Sequence, residues 1–279
     1  RISFRWAPFE GGALKGGTGM YGQPPQGPDL GFNEGESIVE YEHTWSSELG
    51  WEQQFTQAIS ADVTFFHKEM TDLIVESLVF EDVELDAPYV NAGIGRVDGM
   101  EFMLRHAPVD RFFGWISYTL SKSIRNNHPE VYGYEIDNSD GAQDGWYDFE
   151  FDQTHILVAV AAYKLPRSWE LSTKVQYVTG NPYTPYDGGV FDLDQVSYFA
   201  YQTAEYNSQR MPSFFAVDFR LDKTYSFKRW RLKTYLDVLN AFRGENPEFV
   251  QYNYDYTENT WVRGLPLIPS PGFEAEIFF

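Results

Sequence analysis

Apolar and polar residues alternate with period two along most of this chain. That pattern restricts it to extended strands whose successive side chains point to opposite faces. PSFFAVDFRLDKTYSF is the clearest stretch: Phe215, Val217, Phe219, Leu221, Tyr225 and Phe227 share one face, and Asp218, Arg220, Asp222, Thr224 and Ser226 share the other. WRLKTYLDVL sets Trp230, Leu232, Leu236 and Val238 against Arg231, Lys233, Tyr235 and Asp237. WELSTKVQYVTG sets Trp169, Leu171, Val175 and Tyr177 against Glu170, Ser172, Lys174 and Gln176. ISADVTFFHK and ISFRW repeat the pattern, and the closing GFEAEIFF places Phe273, Ala275, Ile277 and Phe279 together. HILVAVAAYKL and GWISYTLSKS are strand-like without a clear facing.

The connections alternate as well. Short ones fall near Phe9–Gly12, Thr56–Ala58, Pro108–Arg111, Pro166–Ser168 and Lys228–Arg229. Long polar ones fall near Tyr21–Glu36, Thr71–Tyr89, Arg125–Glu150, Pro182–Met211 and Arg243–Pro266. A meander with one tight rim and one looped rim has this form, as in outer-membrane barrels with short periplasmic turns. The aromatics Phe9, Phe112, Trp169, Phe227 and Trp230 beside the short turns suit an interfacial girdle. Alternating strands also build soluble sandwiches and lipocalin-like barrels, and periodicity alone does not say which face is inside. Charges in mid-strand, such as Asp218, Arg220, Lys233 and Asp237, favour a wet lumen. No apolar run approaches the ~18 residues of a membrane helix, so any bilayer must be crossed by strands.

Composition narrows the function. A net charge of −20 disfavours nucleic acid, and the absence of cysteine removes disulfides, thiolate metal sites and thiol nucleophiles. Neither a nucleophile elbow nor a phosphate-binding loop is present. No two of His43, His67, His106, His128 and His155 stand at metal-ligand spacing; His155 is expected to hydrogen-bond at a strand start. The strand count predicts about eleven, an odd number, whereas complete single-chain bacterial barrels have even counts. With an opening RISFRWAPF that lacks an initiating Met, this predicts a partial chain.

Several stretches then carry a resemblance, in order along the chain: KGGTGMYGQPP, SSELGWEQQF, YVNAGIGRVDGMEF, SYTLSKS, DQTHILVAVAAYKLP, YVTGNPYTP, YLDVLNAF and GLPLIPSPGFEAEIFF. Together they resemble the C-terminal barrel of TonB-dependent outer-membrane receptors, over essentially the whole chain. The resemblance implies an all-β, antiparallel up-and-down barrel of about 22 strands with a plugged lumen. Residues 1–279 would supply its C-terminal half, the plug and earlier strands lying outside this chain. It implies a receptor in the bacterial outer membrane, not an enzyme, importing a scarce nutrient with energy passed on by the TonB complex. The implied partners are the N-terminal half with its plug, outer-membrane lipid and lipopolysaccharide, and a small-molecule or peptide substrate. Phe273, Ile277 and Phe279 would form the strand that the assembly machinery recognises. The alternatives are a passive porin or surface adhesion barrel, and a soluble β-sandwich carbohydrate-binding module.

Candidate site residues follow from both arguments. Asp218, Arg220, Lys233, Asp237, Lys174 and Glu170 are expected to line the lumen. In the loop EIDNSDGAQDGWYDFEFD, Asp137, Asp140 and Asp144 are candidate ligand-binding residues of an extracellular loop and could hold Ca²⁺ through hard oxygen ligands; their spacing departs from an EF-hand, and a solvated acidic loop is the competing reading. No other cofactor is expected. Trp146 and Tyr183 could stack on a ligand, or could instead pack the loops on themselves.

Overall fold

The structure is a computed structural model that describes residues 1–26, 39–76, 89–127, 145–202 and 206–278. Its strands, in chain order, are β1 (Ile2–Phe9), β2 (Gly12–Gln23), β3 (Glu42–Gln54), β4 (Ile59–Glu76), β5 (Tyr89–Val109), β6 (Phe112–Asn126), β7 (Tyr147–Asp148), β8 (His155–Leu165), β9 (Trp169–Val178), β10 (Pro182–Tyr183), β11 (Gly188–Asp192), β12 (Ser197–Tyr201), β13 (Gln209–Arg210), β14 (Phe214–Ser226), β15 (Trp230–Leu239), β16 (Phe249–Tyr252), β17 (Asn259–Val262) and β18 (Ile268–Ile277). One sheet runs β1-β2-β3-β4-β5-β6-β8-β9-β14-β15-β18, with β7 added against β6. Every neighbour along it is antiparallel. Eleven strands therefore follow one another in an open meander, matching the expected number.

The connections take the expected short-long order. β1–β2, β3–β4, β5–β6, β8–β9 and β14–β15 are joined by tight turns, the fourth being a 3-10 turn at Pro166–Ser168. At the other rim the long connections are not plain polar loops. The one after β9 folds into two small sheets, β10–β13 and β11–β12, and the one after β15 carries the hairpin β16–β17. GGVFDLDQVSYFAY explains this locally, because alternating residues flank an aspartate whose side chain accepts from the backbone N–H groups of Asp194 and Gln195 at 2.7 and 3.2 Å.

Register decides the facing that periodicity left open. Leu171, Leu221, Leu236 and Pro271 stand opposite one another across β9, β14, β15 and β18 on one face; Leu49, Phe65, Met100 and Leu120 do the same across β3 to β6. In β8, which had no clear facing, Leu157, Ala159, Ala161 and Tyr163 fall on this apolar face. That face is the exposed one: Phe65 is 55%, Leu171 44%, Leu221 38% and Leu236 43% accessible. The described residues bury only Ala13, Val39, Val178 and Val217 among apolar side chains, but Thr64, Asn126, Asp152, Asn207, Asp222, Asn240 and Asn246 among polar ones. A soluble sandwich would reverse this. Each large apolar side chain left in water forfeits about 1.5–3 kcal/mol, so a face covered with them needs an apolar solvent. No described helix is long and apolar enough to cross a membrane.

Candidate functional site

The polar face carries a cross-strand ladder of charge. Asp218 stands opposite Lys174, Arg220 opposite Asp237, and Lys233 opposite Glu274, so the expected lumen residues of β9, β14 and β15 share one surface. Arg220 is the hub. Its guanidinium lies 3.1 Å from the Asp222 carboxylate and 2.9 Å from Asp237, and packs over the Tyr235 ring at 3.9 Å. Lys233 reaches Asp222 at 3.1 Å. Two cations thus compensate a buried carboxylate, the condition under which such burial is tolerated. Tyr235 lies flat because its opposite residue is Gly272, where an added Cβ would sit 2.3 Å from the ring. Glu170 shares the face, opposite Asp222 on one side and Lys164 on the other.

A second charged group was not singled out in the sequence. Arg5 meets Glu52 at 2.8 Å, and Lys15 meets Asp62 at 2.5 Å and Glu52 at 3.5 Å. Arg5, Glu52 and Asp62, with Arg105, line a cavity of about 570 Å³ beside the short turns of β1–β2 and β3–β4. Its partners lie 47 residues apart, so only pairing of β1 to β4 brings them together. On the looped side a cavity of about 300 Å³ is lined by Lys174, Asp218, Asn240, Asn246 and Glu248. It joins the charge ladder to the segment after β15.

The looped rim is held by buried polar groups. Asp152, 1% accessible, accepts from the Ser123 backbone N–H at 2.6 Å and pairs with Arg210. Arg210 also reaches Asp148 at 2.7 Å and donates to the carbonyls of Asp152 and Gly180 at 2.7 and 3.3 Å. Lys122 adds charge to both carboxylates. Gly180 is required here, because a Cβ would lie 1.8 Å from the Met211 carbonyl oxygen. Asn207, Asn240 and Asn246 adopt positive φ of 53°, 48° and 41°, a conformation asparagine tolerates, and turn their amides onto neighbouring backbone. Asn240 alone donates to the Gly244 and Leu265 carbonyls and accepts from the Gly244 N–H, each at 2.8–3.0 Å. Asparagine within NAFRGEN is the signal that could have found this rim. His155 meets the expectation of a hydrogen-bonding role, with its Nδ1 2.8 Å from the Tyr118 hydroxyl.

The loop aromatics pack on one another. Tyr183 meets Trp261 edge-on at 5.6 Å and donates to Gln209 at 3.0 Å. Tyr186 contacts Tyr252 and Tyr256 at 5.0 and 5.4 Å, tying the segment after β9 to the hairpin β16–β17. Tyr147 meets Tyr206 at 4.9 Å and donates to Asn127 at 2.6 Å; burial pushes its phenol up to about 12. Burial raises Tyr183 as well. Trp146 stays half exposed. Asp137, Asp140 and Asp144, proposed for Ca²⁺, lie outside the described residues, as does Phe279. Among the described residues no cluster of three or more His, Asp or Glu side chains could hold a metal ion. Phe273 and Ile277 project from the apolar face of β18, 76% and 64% accessible.

An open antiparallel meander with an exposed apolar face, a charged opposite face and one looped rim is the architecture of a membrane β-barrel wall. The chain belongs to the TonB-dependent receptor family: residues 1–241 match the model described as "TonB dependent receptor-like, beta-barrel". No curated protein matches the chain. Among solved structures it is similar to the siderophore receptor PiuA from Acinetobacter baumannii, at 14% identity and a TM-score of 0.65, over 98% of this chain and 34% of that one. The FrpB iron transporter from Neisseria meningitidis is similar at 13% identity and 0.63, over 99% and 38%. The ferric yersiniabactin uptake receptor FyuA from Yersinia pestis is similar at 14% and 0.62, over 99% and 37%. The chain thus spans about a third of the length of these relatives. These likenesses establish the barrel fold, and the family and the barrel imply an outer-membrane protein.

Proposed function

We infer that this chain supplies the C-terminal part of the barrel of an outer-membrane receptor, and that the whole receptor imports a scarce nutrient with energy delivered through TonB. The observation that carries the reading is the inverted polarity of the sheet: leucine and phenylalanine rows exposed, and the Arg220–Asp222–Asp237–Lys233 ladder on the opposite, more enclosed face. Such a sheet suits lipid outside and a wet lumen inside. Eleven strands are about half of the ~22 found in plugged transporters, so a closed barrel needs as many again. The missing strands and the plug would come from the rest of the receptor. In that setting Lys174, Asp218, Arg220, Lys233 and Asp237 face the substrate path, and the looped rim faces outward. The similar structures include a siderophore receptor and a ferric yersiniabactin uptake receptor, which makes a ferric siderophore the first cargo to test.

The test is uptake of a radio-iron-loaded siderophore by iron-starved cells carrying or lacking the receptor. Receptor-dependent accumulation that stops when an uncoupler collapses the proton gradient is the expected result. Accumulation indifferent to the uncoupler would favour a passive porin and contradict TonB coupling. Intact mass of the denatured, membrane-extracted protein tests the half-barrel separately. A lone 32.3 kDa species with no companion chain would contradict it.

A further inference from the structure

The short-turn end of β8, β9, β14 and β15 departs from the charge of the rest of the molecule. The stretches Tyr163–Trp169 and Lys223–Arg231 contain six of the chain's 21 lysines and arginines and none of its 41 aspartates and glutamates. Arg231 is committed to Glu276 on the polar face, at 3.3 Å. Lys164 is on the polar face too, opposite Glu170. Arg167, Lys223, Lys228 and Arg229 remain, and among the described residues none of these four is ion-paired with a carboxylate.

Lys223 is the anomaly within this group. Its row, Trp169–Lys223–Thr234–Phe273, lies on the apolar face, one row from Leu171–Leu221–Leu236. A lysine there is costly in hydrocarbon unless its head reaches an interface. The backbone supplies that interface. β9 stops at Trp169, the partner of Lys223, whereas β14 continues to Ser226 against β15. The Pro166–Ser168 turn therefore sits beside a step in the rim, and Lys223 lies at its corner. Its ammonium donates to the Arg167 carbonyl and is flanked by the rings of Trp169 and Tyr225, 5.3 and 5.4 Å away. Arg167 and Ser168 hold left-handed φ of 61° and 60°, which fold the turn. The stacked pair Phe227 and Trp230, 4.2 Å apart, borders the far side. The result is a cationic notch with aromatic walls, continuous with the lipid-facing surface.

We propose that this notch binds the headgroup of an anionic phospholipid in the leaflet next to the short turns, with Lys223 and Arg167 taking the phosphate and Trp169 and Tyr225 lying along the glycerol and upper acyl chains. The occupant follows from charge and continuity: Lys223, without a carboxylate partner among the described residues, stands on the apolar face beside the turn that carries Arg167, and the membrane-barrel reading covers that face with lipid. Neutral zwitterionic lipid satisfies the apolar surface but leaves the charge unmatched. The proposal rests on the membrane-barrel reading, and its test separates the two.

The test uses the whole receptor in nanodiscs of phosphatidylethanolamine containing a minority of phosphatidylglycerol. Bromine placed near the headgroup end of the acyl chains goes on one lipid or the other. The chain has 8 tryptophans, so the difference between wild type and Trp169→Phe isolates the signal of Trp169. The expected result is quenching of Trp169 by brominated phosphatidylglycerol at about fivefold lower mole fraction than by brominated phosphatidylethanolamine, the order of one cation at an anionic surface. Lys223→Gln with Arg167→Gln should erase that preference. Should that variant fail to fold, raising salt on the wild-type protein must weaken the preference instead, since screening acts on exposed charges. Equal quenching by both lipids, or a preference that survives the double substitution or high salt, overturns the site while leaving the barrel intact. No quenching of any tryptophan by either lipid overturns the membrane reading itself.

Discussion

The two rims of the sheet are built on different physical principles. At the short-turn rim, covalent brevity does the work: two to four residues join each pair of strands, and surface aromatics such as Phe227 on Trp230 finish the edge. At the looped rim, long segments are held by buried polar side chains. Of the seven buried polar residues among those described, five, Asn126, Asp152, Asn207, Asn240 and Asn246, lie at strand ends or in segments on that side. A tight turn has little entropy to lose, whereas a long segment must be tied down to keep a defined shape. The looped rim therefore gets its shape from a few side chains whose loss should be felt there and not at the other rim.

Arg210→Met should give the largest effect. The buried Asp152 carboxylate then keeps the Ser123 N–H but, among the described residues, only Lys122 at 3.7 Å as a countercharge, and breaking a buried pair costs roughly 3–5 kcal/mol. Thermal unfolding should fall by several degrees, and limited proteolysis should cut within 145–154 and 206–213 while the short turns stay intact. Equal cutting at both rims would erase the contrast. Leu221→Arg, on the apolar face, should cost about 2–4 kcal/mol in urea titrations of the vesicle-embedded receptor. A polar-face control such as Thr224→Arg should cost much less. Asn240→Ala comes next, at about 1–3 kcal/mol, because two carbonyls and one N–H lose their partner at a positive φ. Asn240→Gly should recover only the conformational part. Trp230→Ala at the short-turn rim should cost about 0.5–1.5 kcal/mol beyond lost area, from the ring stack.

The smallest effect is on pH. The Tyr147 phenol is raised from its ordinary value near 10 to about 12, so its neutral form is favoured in the folded state. Its contribution is complete below pH 10 and lost as pH rises from about 10 to about 12. Tyr147→Phe should remove that slope, read by ultraviolet titration alongside unfolding.

Much of the sheet was legible because a period of two is a direct image of strand geometry. Phe219 and Leu221 against Arg220 and Asp222 fixed a two-faced strand, and the turn positions fixed the meander. Which face meets solvent was not legible. It depends on whether the other face of β14 is enclosed, and that is a property of neighbours far along the chain. The charges of β9, β14 and β15 could be grouped on one face from the sequence because charges in mid-strand are costly without a wet surface. The Arg5–Glu52–Lys15–Asp62 group was missed, because its register needs three strand pairings in succession. Arg210 was missed for another reason: it stands in a two-residue strand inside a long connection, and no local pattern marks it as the partner of Asp148 and Asp152.

The central claim is that one face of β14 meets lipid and the other a wet lumen. The chain has no cysteine, so single cysteines can be placed one at a time from Phe215 to Thr224, omitting the buried Asp222, and spin-labelled in the membrane-embedded receptor. Accessibility to oxygen, which concentrates in lipid, should peak at positions 215, 219 and 221. Accessibility to a water-soluble nickel chelate should peak at 218, 220 and 224, giving two opposed waves of period two. Waves in phase with each other, or chelate access highest at 219 and 221, would contradict the account.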